Sequence, residues 1–298
     1  MTRPVFIAGA AGQLGSAMVR AFADRTVVAH TRAMLDITSP AAVRRAVGAV
    51  APGVIINCAA FNDVDGAEDR PLEAFAVNAM AVRSLARAAE EHGAVFVHYG
   101  TDFVFDGTAT EPYGEEIEPA PRSAYAMSKL MGDWFALDAP QGFVLRVESL
   151  FGSPRDWSGR LGTLDTIVAS LEQGRPIKAF TDRVVSPSYL EDVVAATRHL
   201  VDARARPGLY HCVNSGHATW QEIALETARL LGVSPRLEPV TMGQMKLKAA
   251  RPRFCALSNR KLAAAGFTMP TWQDALTRWL AATDHPAGRM NKIGRAHV

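Results

Sequence analysis

Short runs of apolar residues alternate along this chain with longer stretches whose apolar residues recur at helical spacing. Apolar runs of this kind are typical of parallel strands buried on both faces, and the longer stretches are typical of helices that cover those faces. The pattern predicts strands at Pro4–Ala8, Thr26–Ala29, Val54–Asn57, Ala94–Tyr99 and Gly142–Val147. We therefore expect an α/β fold with a doubly wound parallel sheet.

Start and stop signals set the ends of the predicted helices. Ser39 can cap a helix whose first residue is a proline, and Gly93 can close the long helix Pro71–His92. Further on, Thr219 and Glu222 have the spacing of a capping box, which predicts a helix that runs to about Leu231. The other helices are expected to begin near Gln13 and near Ser123, and to span Leu161–Gln173 and Tyr189–Val201.

After residue 148 the alternation of strands and helices loosens, which suggests a second unit. We expect residues 1–148 to form the sheet domain with 181–206 packed onto it, and residues 149–180 and 207–282 to form a smaller C-terminal lobe. Residues 283–298 read as a tail. The tail ends in Ile293–Val298, which matches the translation of a common sequencing adapter, so we do not expect that end to belong to the fold.

Composition narrows the class of protein. The chain has 298 residues, of which 48% are hydrophobic and 21% charged, as suits one or two closely packed α/β domains. A net charge of +2 leaves no broad basic surface for nucleic acid, and no apolar segment approaches the ~20 residues of a membrane span. The three cysteines are scattered, so we expect them in the core, and we expect a cytoplasmic protein because the first strand leaves no room for a signal peptide.

A glycine-spaced turn follows the first predicted strand. Gly9 permits a tight strand-to-helix turn, Gly12 lets a pyrophosphate approach the backbone, and Gly15 lets the helix pack closely on the strand. The N–H groups at the start of that helix then face the phosphates. The turn therefore predicts a dinucleotide site on a Rossmann-type doubly wound parallel sheet, with the smaller C-terminal lobe binding substrate.

Tyr125 and Lys129 lie four residues apart, so they share one face of a helix. A phenol titrates near ~10 in water, and a neighbouring cation lets it exchange protons with a substrate oxygen near neutral pH. Lys129 can be that cation. Together with the glycine turn, the pair indicates a dinucleotide-dependent oxidoreductase.

From about Val5 to Leu280 the chain resembles the dTDP-4-dehydrorhamnose reductase family, the RmlD-like branch of the extended short-chain dehydrogenase/reductases. The two most specific matching segments are Thr101–Gly107, which reads Thr-Asp-Phe-Val-Phe-Asp-Gly, and Tyr125 to Lys129. The other matching segments are Gly9–Gly15, Leu35–Thr38, Val54–Ala60, Val64–Glu68, Asn78, Gly208–His211 and Arg251-Pro252.

The resemblance implies an NAD(P)H-dependent reduction of the 4-keto group of a nucleotide-activated deoxysugar. Tyr125 would deliver a proton to the carbonyl oxygen, Lys129 would bind the nicotinamide ribose and lower the pKa of the phenol, and Thr101 would donate a hydrogen bond to the substrate oxygen. The implied cofactor-binding residues also include Gly9, Ala11, Gly12, Gln13, Leu14, Gly15, Arg32, Asp36, Ile37, Ala59, Ala60 and Asn78. The implied substrate-binding residues are Val64, Thr101, Asp102, Phe103, Ser149 and Arg251.

The choice of cofactor depends on the end of the second strand. An acidic residue there would accept hydrogen bonds from a ribose 2′-OH and would repel a 2′-phosphate, but this chain has His30-Thr31-Arg32. Arg32 therefore favours NADPH, with NADH as the second possibility. In the other lobe, the Arg251 guanidinium suits a diphosphate, so Arg251 is the candidate for holding the nucleotide part of the substrate.

Three departures from the family pattern bear on substrate and metal. Gly100 stands before Thr101 where serine is usual, and Ser149 stands where a tryptophan commonly covers the sugar, so we expect a wider and more polar pocket. Ala17 replaces a glutamate that contributes in some members to a metal-bridged dimer, so no metal is expected, and the protein is expected to be a monomer or a homodimer. The alternative function is a non-catalytic NADP-binding regulatory subunit that resembles the regulatory β subunit of methionine adenosyltransferase.

Overall fold

The computed structural model describes residues 3–153, 159 and 161–283. Six parallel strands form the central sheet, in the order β10-β5-β4-β3-β1-β2. This sheet and the helices on it confirm the predicted α/β fold class. The strands are β1 Val5–Ala8, β2 Val27–His30, β3 Val54–Asn57, β4 Val95–Thr101, β5 Gly142–Val147, β6 Leu150–Phe151, β7 Ile177–Phe180, β8 Val184–Val185, β9 Ser188–Tyr189, β10 Gly208–His211, β11 Ala218–Thr219 and β12 Leu237–Val240.

Helices cover both faces of the sheet and build the second lobe. A π-helical turn, Ala76–Met80, joins two of them where the sequence predicts one continuous helix from Pro71 to His92. The helices are α1 Gln13–Ala21, α2 Pro40–Val50, α3 Val64–Asp69, α4 Pro71–Phe75, α5 Ala81–Glu91, α6 Ala124–Leu137, α7 Thr163–Glu172, α8 Leu190–Asp202, α9 Trp220–Leu231, α10 Arg260–Ala264 and α11 Trp272–Ala282. None of the helices in the described part of the chain is long and apolar enough to cross a membrane.

The predicted capping residues begin their helices as expected. The Ser39 hydroxyl accepts a hydrogen bond from the Ala42 amide at 3.4 Å, and Ser123 accepts one from Ala126 at 3.2 Å. Thr219 and the Glu222 side chain form the predicted capping box of α9. These local bonds satisfy N–H groups that have no partner inside the helix, so they fix where each helix begins.

The sheet extends further than the apolar runs predict. Strand β10 pairs with β5, with Leu209 opposite Val144 and Tyr210 opposite Leu145, although Gly208–His211 was expected in the second lobe. Only two of its four residues are buried, since it is the edge strand, and this explains why no continuous apolar run marks it. The assignment of the remaining residues to two units stays a prediction.

The three largest apolar clusters among the described residues hold the layers together. On one face of the sheet α1 and α8 pack side by side, with Met18 and Val193 in one cluster, and on the other face α2 and α5 bury Val47 and Leu85. A further core lies outside the central sheet, and Trp220, Trp272 and Trp279 are buried in it. All three cysteines are free thiols; Cys212 and Cys255 are buried and Cys58 is half-buried.

Helix α2 ends in a residue whose backbone is strained. Ala51, the C-cap, has φ 45° and ψ 56°, in the left-handed region that glycine adopts without a steric penalty. We predict that Ala51→Gly stabilises the protein by about 0.5–1 kcal/mol, because it relieves this strain at an exposed position. Ala49→Gly, at an exposed helical position of the same helix, should instead cost about 0.5–1 kcal/mol. Urea unfolding of both variants measures the two changes, and a loss of stability in Ala51→Gly as large as in Ala49→Gly would contradict the explanation.

Candidate active site

The glycine turn after β1 is built as the sequence predicts. Gly9 has φ +77°, and a Cβ placed on it would lie 2.5 Å from the Ala59 backbone nitrogen. A Cβ on Gly15 would lie 2.1 Å from the Gly9 oxygen, so neither position accepts a side chain. Gly12 is the N-cap of α1, with no side-chain cap and no acidic residue in the first turn. The start of α1 therefore offers backbone N–H groups and the positive end of the helix dipole to an anion.

A cleft of about 810 Å³ opens in front of this turn, at the carboxyl ends of β1, β2 and β3. Such a position is where open α/β sheets bind their ligands. Eight of the residues predicted to bind the cofactor line it: Gly9, Ala11, Gly12, Arg32, Asp36, Ile37, Ala59 and Ala60. The volume, the glycines and the uncapped helix fit a dinucleotide.

Arg32 and Asp36 face the same cleft with opposite charges. The Asp36 carboxylate accepts hydrogen bonds from the Thr38 hydroxyl at 2.6 Å and the Thr38 amide at 2.9 Å. These bonds, with a smaller contribution from the Arg32 charge, hold the pKa of Asp36 below its ordinary value. Asp36 is thus turned toward its own loop, and the exposed Arg32 side chain is available to an anionic group.

Asn78 positions the far wall of the cleft from the π-helical turn. Its side-chain oxygen accepts from the Phe61 amide at 2.8 Å, and its side-chain nitrogen donates to the Phe61 carbonyl at 3.0 Å and to the Ser128 hydroxyl at 3.0 Å. The amide therefore ties the loop after β3 to helix α6. Because an irregular turn presents Asn78 to both partners, we regard it as a residue that supports the site.

Helix α6 carries three buried polar residues at a spacing of four: Tyr125, Lys129 and Asp133. The Lys129 ammonium donates to the Tyr99 carbonyl of β4 at 2.5 Å. Asp133 accepts from Arg146 of β5 at 3.0 Å and lies 3.9 Å from the ring of His98. The sequence pattern missed Asp133, although its position one turn beyond Lys129 on the same face is the signal that could have found it.

Burial governs the protonation of this helix face. It lowers the pKa of Lys129 to about 8, against a smaller opposing effect of the Asp133 charge. It also raises the pKa of Tyr125, and the Asp102 charge adds to this, while a hydrogen bond between the Tyr125 and Thr101 hydroxyls acts in the opposite direction. The sequence predicts that Lys129 lowers the pKa of Tyr125, but the structure differs, because the ammonium points to the Tyr99 carbonyl. Tyr125 is therefore a neutral phenol at neutral pH, with a proton to give.

Thr101 ends β4 beside Tyr125. Its hydroxyl donates to the Asp102 carboxylate at 3.1 Å and accepts from the Phe103 amide at 3.3 Å. The Phe103 ring meets the Tyr125 ring edge-on, with 5.6 Å between centroids. Phe61 and Val64 pack in the same cluster as these two rings, and Phe61 also lines the cofactor cleft. The structure thus brings Val64, Thr101, Asp102, Phe103 and Tyr125 together next to the cleft.

Two other residues assigned to the cofactor lie at the start of α1. Gln13 donates from its side-chain amide to the Ser153 hydroxyl at 2.5 Å, which joins α1 to the segment after β6. Leu14 is buried in the core between α1 and the sheet, so its side chain supports the turn from below.

Ser149 and Arg251 lie in surroundings that the sequence did not anticipate. Ser149 has a left-handed backbone with φ 45° between β5 and β6, so a tryptophan at this position would carry backbone strain. The Arg251 guanidinium donates to both oxygens of Asp65, each at 2.9 Å, and Lys248 pairs with Asp69 nearby. Arg251 thus joins the segment after β12 to α3, and Asp65 occupies two of its guanidinium donors.

One group of three residues with metal-ligand chemistry occurs in the described ranges: Asp102, Glu148 and Cys255. All three are buried and their ligand atoms lie within 4.8 Å of one another. Arg183 donates to the Cys255 sulfur at 3.8 Å and stacks over the Phe103 ring at 5.4 Å. The sequence pattern gave no role to Glu148 or Arg183, because the chain brings them together only by folding.

The lowered pKa of Lys129 predicts a pH dependence of stability. The folded protein binds the proton of Lys129 less tightly than the unfolded chain does, with a pKa of about 8. Below pH 8 the buried charge therefore lowers the stability of the fold by its full amount. This loss of stability becomes smaller as the pH rises from about 8 to 10.5. We expect Lys129→Met to be more stable than the parent at pH 7, by at most about 3 kcal/mol, and to lose this advantage toward pH 10.5. Thermal unfolding of both proteins across this range measures the difference. An advantage that is constant with pH would show that the buried charge is not the cause.

Comparisons with known proteins agree with this geometry. Residues 2–285 match the family model of the RmlD substrate binding domain. A dTDP-4-dehydrorhamnose reductase of Mycobacterium tuberculosis is 37% identical, over 93% of this chain and 92% of that protein. A probable dTDP-4,6-dihydroxy-2-methyloxan-3-one 4-ketoreductase of Streptomyces antibioticus is 36% identical, over 95% and 97%. The crystal structure of dTDP-4-dehydrorhamnose reductase from Bacillus anthracis in complex with NADP superposes with a TM-score of 0.89 at 30% identity, over 95% of this chain and 100% of that one. The chain therefore belongs to the RmlD substrate binding domain family.

Proposed function

We propose that this protein reduces the 4-keto group of a nucleotide-activated deoxysugar with NADPH. The observation that carries the proposal is the position of Tyr125 and Thr101 beside the dinucleotide cleft, with Phe61 common to both sites. A proton donor and a hydroxyl next to a bound dinucleotide suit a carbonyl reduction. Relatives that cover almost the whole chain are named as reductases of dTDP-activated keto sugars.

Different residues of the chain bind the cofactor and handle the proton in the proposed reaction. Gly12 and the start of α1 would hold the pyrophosphate, and Arg32, which lines the same cleft, would hold the 2′-phosphate. Bound NADPH supplies the hydride for the carbonyl carbon. As negative charge develops on the carbonyl oxygen, Tyr125 donates its proton to that oxygen and Thr101 stabilises it with a hydrogen bond. Lys129 fixes helix α6 on β4, which holds the phenol at the end of the strand that carries Thr101.

Substrate recognition draws on residues of the sheet domain and on Ser149 and Arg251 of the second lobe. Val64 and Phe103 form an apolar wall next to Tyr125 that suits one face of a deoxysugar ring. Arg251 binds the diphosphate after it exchanges Asp65 for phosphate oxygens, which offer the same bidentate acceptor geometry. Ser149 leaves the space that a tryptophan covers in the family pattern. The preferred sugar is therefore a dTDP-4-keto-6-deoxysugar that needs no aromatic cover on that side.

The alternative of a non-catalytic regulatory subunit is less well supported. The M. tuberculosis and S. antibioticus relatives carry the names of reductases, and the chain keeps Thr101, Tyr125 and Lys129 together at the cleft. A regulatory subunit needs none of these three. A cytoplasmic location and a monomeric or homodimeric state stay predictions.

Removal of the proposed proton donor tests the reaction. We expect Tyr125→Phe to bind NADPH as tightly as the parent while kcat falls by roughly two to four powers of ten, the usual contribution of a positioned general acid. Oxidation of NADPH, followed by absorbance with a panel of dTDP-4-keto-6-deoxysugars, measures kcat. Tyr189→Phe is the matched control, because it removes the hydroxyl of another buried tyrosine, in the core of the lobe. Near-parental turnover in Tyr125→Phe, or an equal loss in Tyr189→Phe, would contradict the assignment.

The preference for NADPH tests the role of Arg32. We expect NADPH to bind more tightly than NADH, and we expect Arg32→Ala to weaken NADPH about tenfold or more while it leaves NADH unchanged, since a charge-assisted pair contributes about 1.5–3 kcal/mol when well formed. Fluorescence titration of both cofactors gives the affinities. Arg45→Ala, an exposed arginine on α2, is the control for a general loss of positive charge. Equal affinities in the parent would mean that Arg32 does not select the cofactor.

A further inference from the structure

Behind Thr101 lies a buried carboxyl pair, Asp102 and Glu148, to which the reaction described above gives no role. Asp102 is 2% exposed and Glu148 is 1% exposed. One oxygen of each carboxyl is bonded: Asp102 accepts from the Thr101 hydroxyl at 3.1 Å, and Glu148 accepts from the Ser186 amide at 2.5 Å. The other oxygen of each is buried and has no hydrogen-bond partner among the described residues.

The surrounding charges fix the number of protons on the pair. Arg183 is the cation that acts on both carboxyls, and its Nε is also buried without a hydrogen-bond partner among the described residues. Cys255 keeps its thiol proton, because burial raises its pKa well above the ordinary value, and its sulfur donates to the Pro252 carbonyl at 3.3 Å. One guanidinium balances one carboxylate, and two carboxylates this close cannot both ionise away from water. The neutral arrangement has one carboxylate and one carboxylic acid.

Burial raises the pKa of both acids, that of Asp102 to about 6 and that of Glu148 well above its ordinary value, and the Asp102 charge adds to the effect on Glu148. The Thr101 hydroxyl donates to Asp102, so Asp102 is the member of the pair that acts as the carboxylate, and the resting proton belongs to Glu148. The same positive charge of Arg183 opposes the binding of a metal ion among these groups.

This arrangement matters for Thr101 because a hydroxyl has one proton to donate. While Asp102 is ionised, that proton is engaged by Asp102, and Thr101 cannot offer it to a substrate oxygen. If the proton of Glu148 moves to Asp102, Asp102 becomes the donor to Thr101, and the Thr101 proton is free to face the substrate. We propose that Asp102 and Glu148 share one proton, and that Glu148 is a positioning residue that sets the direction in which Thr101 donates.

The inference rests on the proposed reductase function for its kinetic consequence, but the shared proton can be tested without a substrate. Infrared spectra at neutral pH should contain a protonated-carboxyl band that is lost in Glu148→Gln. The same band should be lost in Asp102→Asn, because Arg183 then balances the remaining Glu148 carboxylate. Glu115→Gln is the matched control, since Glu115 is another partly buried glutamate with a raised pKa, bonded to the His211 amide and outside the pair. A pair-specific band that survives in Glu148→Gln or in Asp102→Asn overturns the shared proton.

Kinetics then test the effect on Thr101. Glutamine has the shape of glutamate and keeps an acceptor for Ser186, but it cannot pass a proton to Asp102. We expect Glu148→Gln to lower kcat about ten- to hundredfold and to leave the KM for NADPH unchanged. The loss of a whole oxyanion donor lowers kcat roughly hundred- to thousandfold, and this sets the upper limit of the effect. An unchanged kcat overturns the positioning role, and so does an equal loss in Glu115→Gln. If the parent protein reduces none of the keto sugars, the proposed function fails, and the infrared result still decides whether the pair shares a proton.

Discussion

The arrangement of the site depends on one buried polar face of α6. Tyr125, Lys129 and Asp133 lie at successive turns of this helix, and all three are buried against the sheet. A buried ammonium or carboxylate is costly unless it is paired, so each must meet a partner on a neighbouring strand. Lys129 meets the Tyr99 carbonyl on β4, and Asp133 meets Arg146 on β5. These two contacts determine how α6 is rotated and where along β4 it rests, and Tyr125 is carried to the end of that strand as a result.

The parallel sheet positions the other groups of the site, because the carboxyl ends of all its strands lie at one edge. Gly9 follows β1, Ala59 follows β3, Thr101 ends β4 and Glu148 follows β5. The dinucleotide cleft and the proton-handling residues are therefore neighbours by topology. Charged contacts join the C-terminal half of the chain to this part of the sheet domain, among them the pair between Arg251 and Asp65.

Local patterns in the sequence predict what is locally determined. The strands β1 to β5, the capping residues Ser39 and Thr219, and the glycine turn are encoded within a few residues, and the structure has them where they were expected. Contacts between distant segments were not predictable in this way. Strand β10 lacks an apolar run because it is an edge, and the π-helical turn carries Asn78, whose side chain bonds Phe61 in a distant loop. The partner of Arg251, the pairing of Asp133 and the pair of Asp102 with Glu148 all join residues that meet only in the folded chain.

The central claim is that the cleft and the end of β4 form one reaction site, in which the cofactor and the sugar carbonyl are in contact. NADPH deuterated at the transferable position of the nicotinamide ring, incubated with the protein and a dTDP-4-keto-6-deoxysugar, tests this most directly, with mass spectrometry and NMR of the product. We expect a hydroxy sugar with deuterium on C4 and none exchanged from solvent. A product without deuterium at C4, or tight binding of NADPH and sugar without any transfer, would contradict the claim.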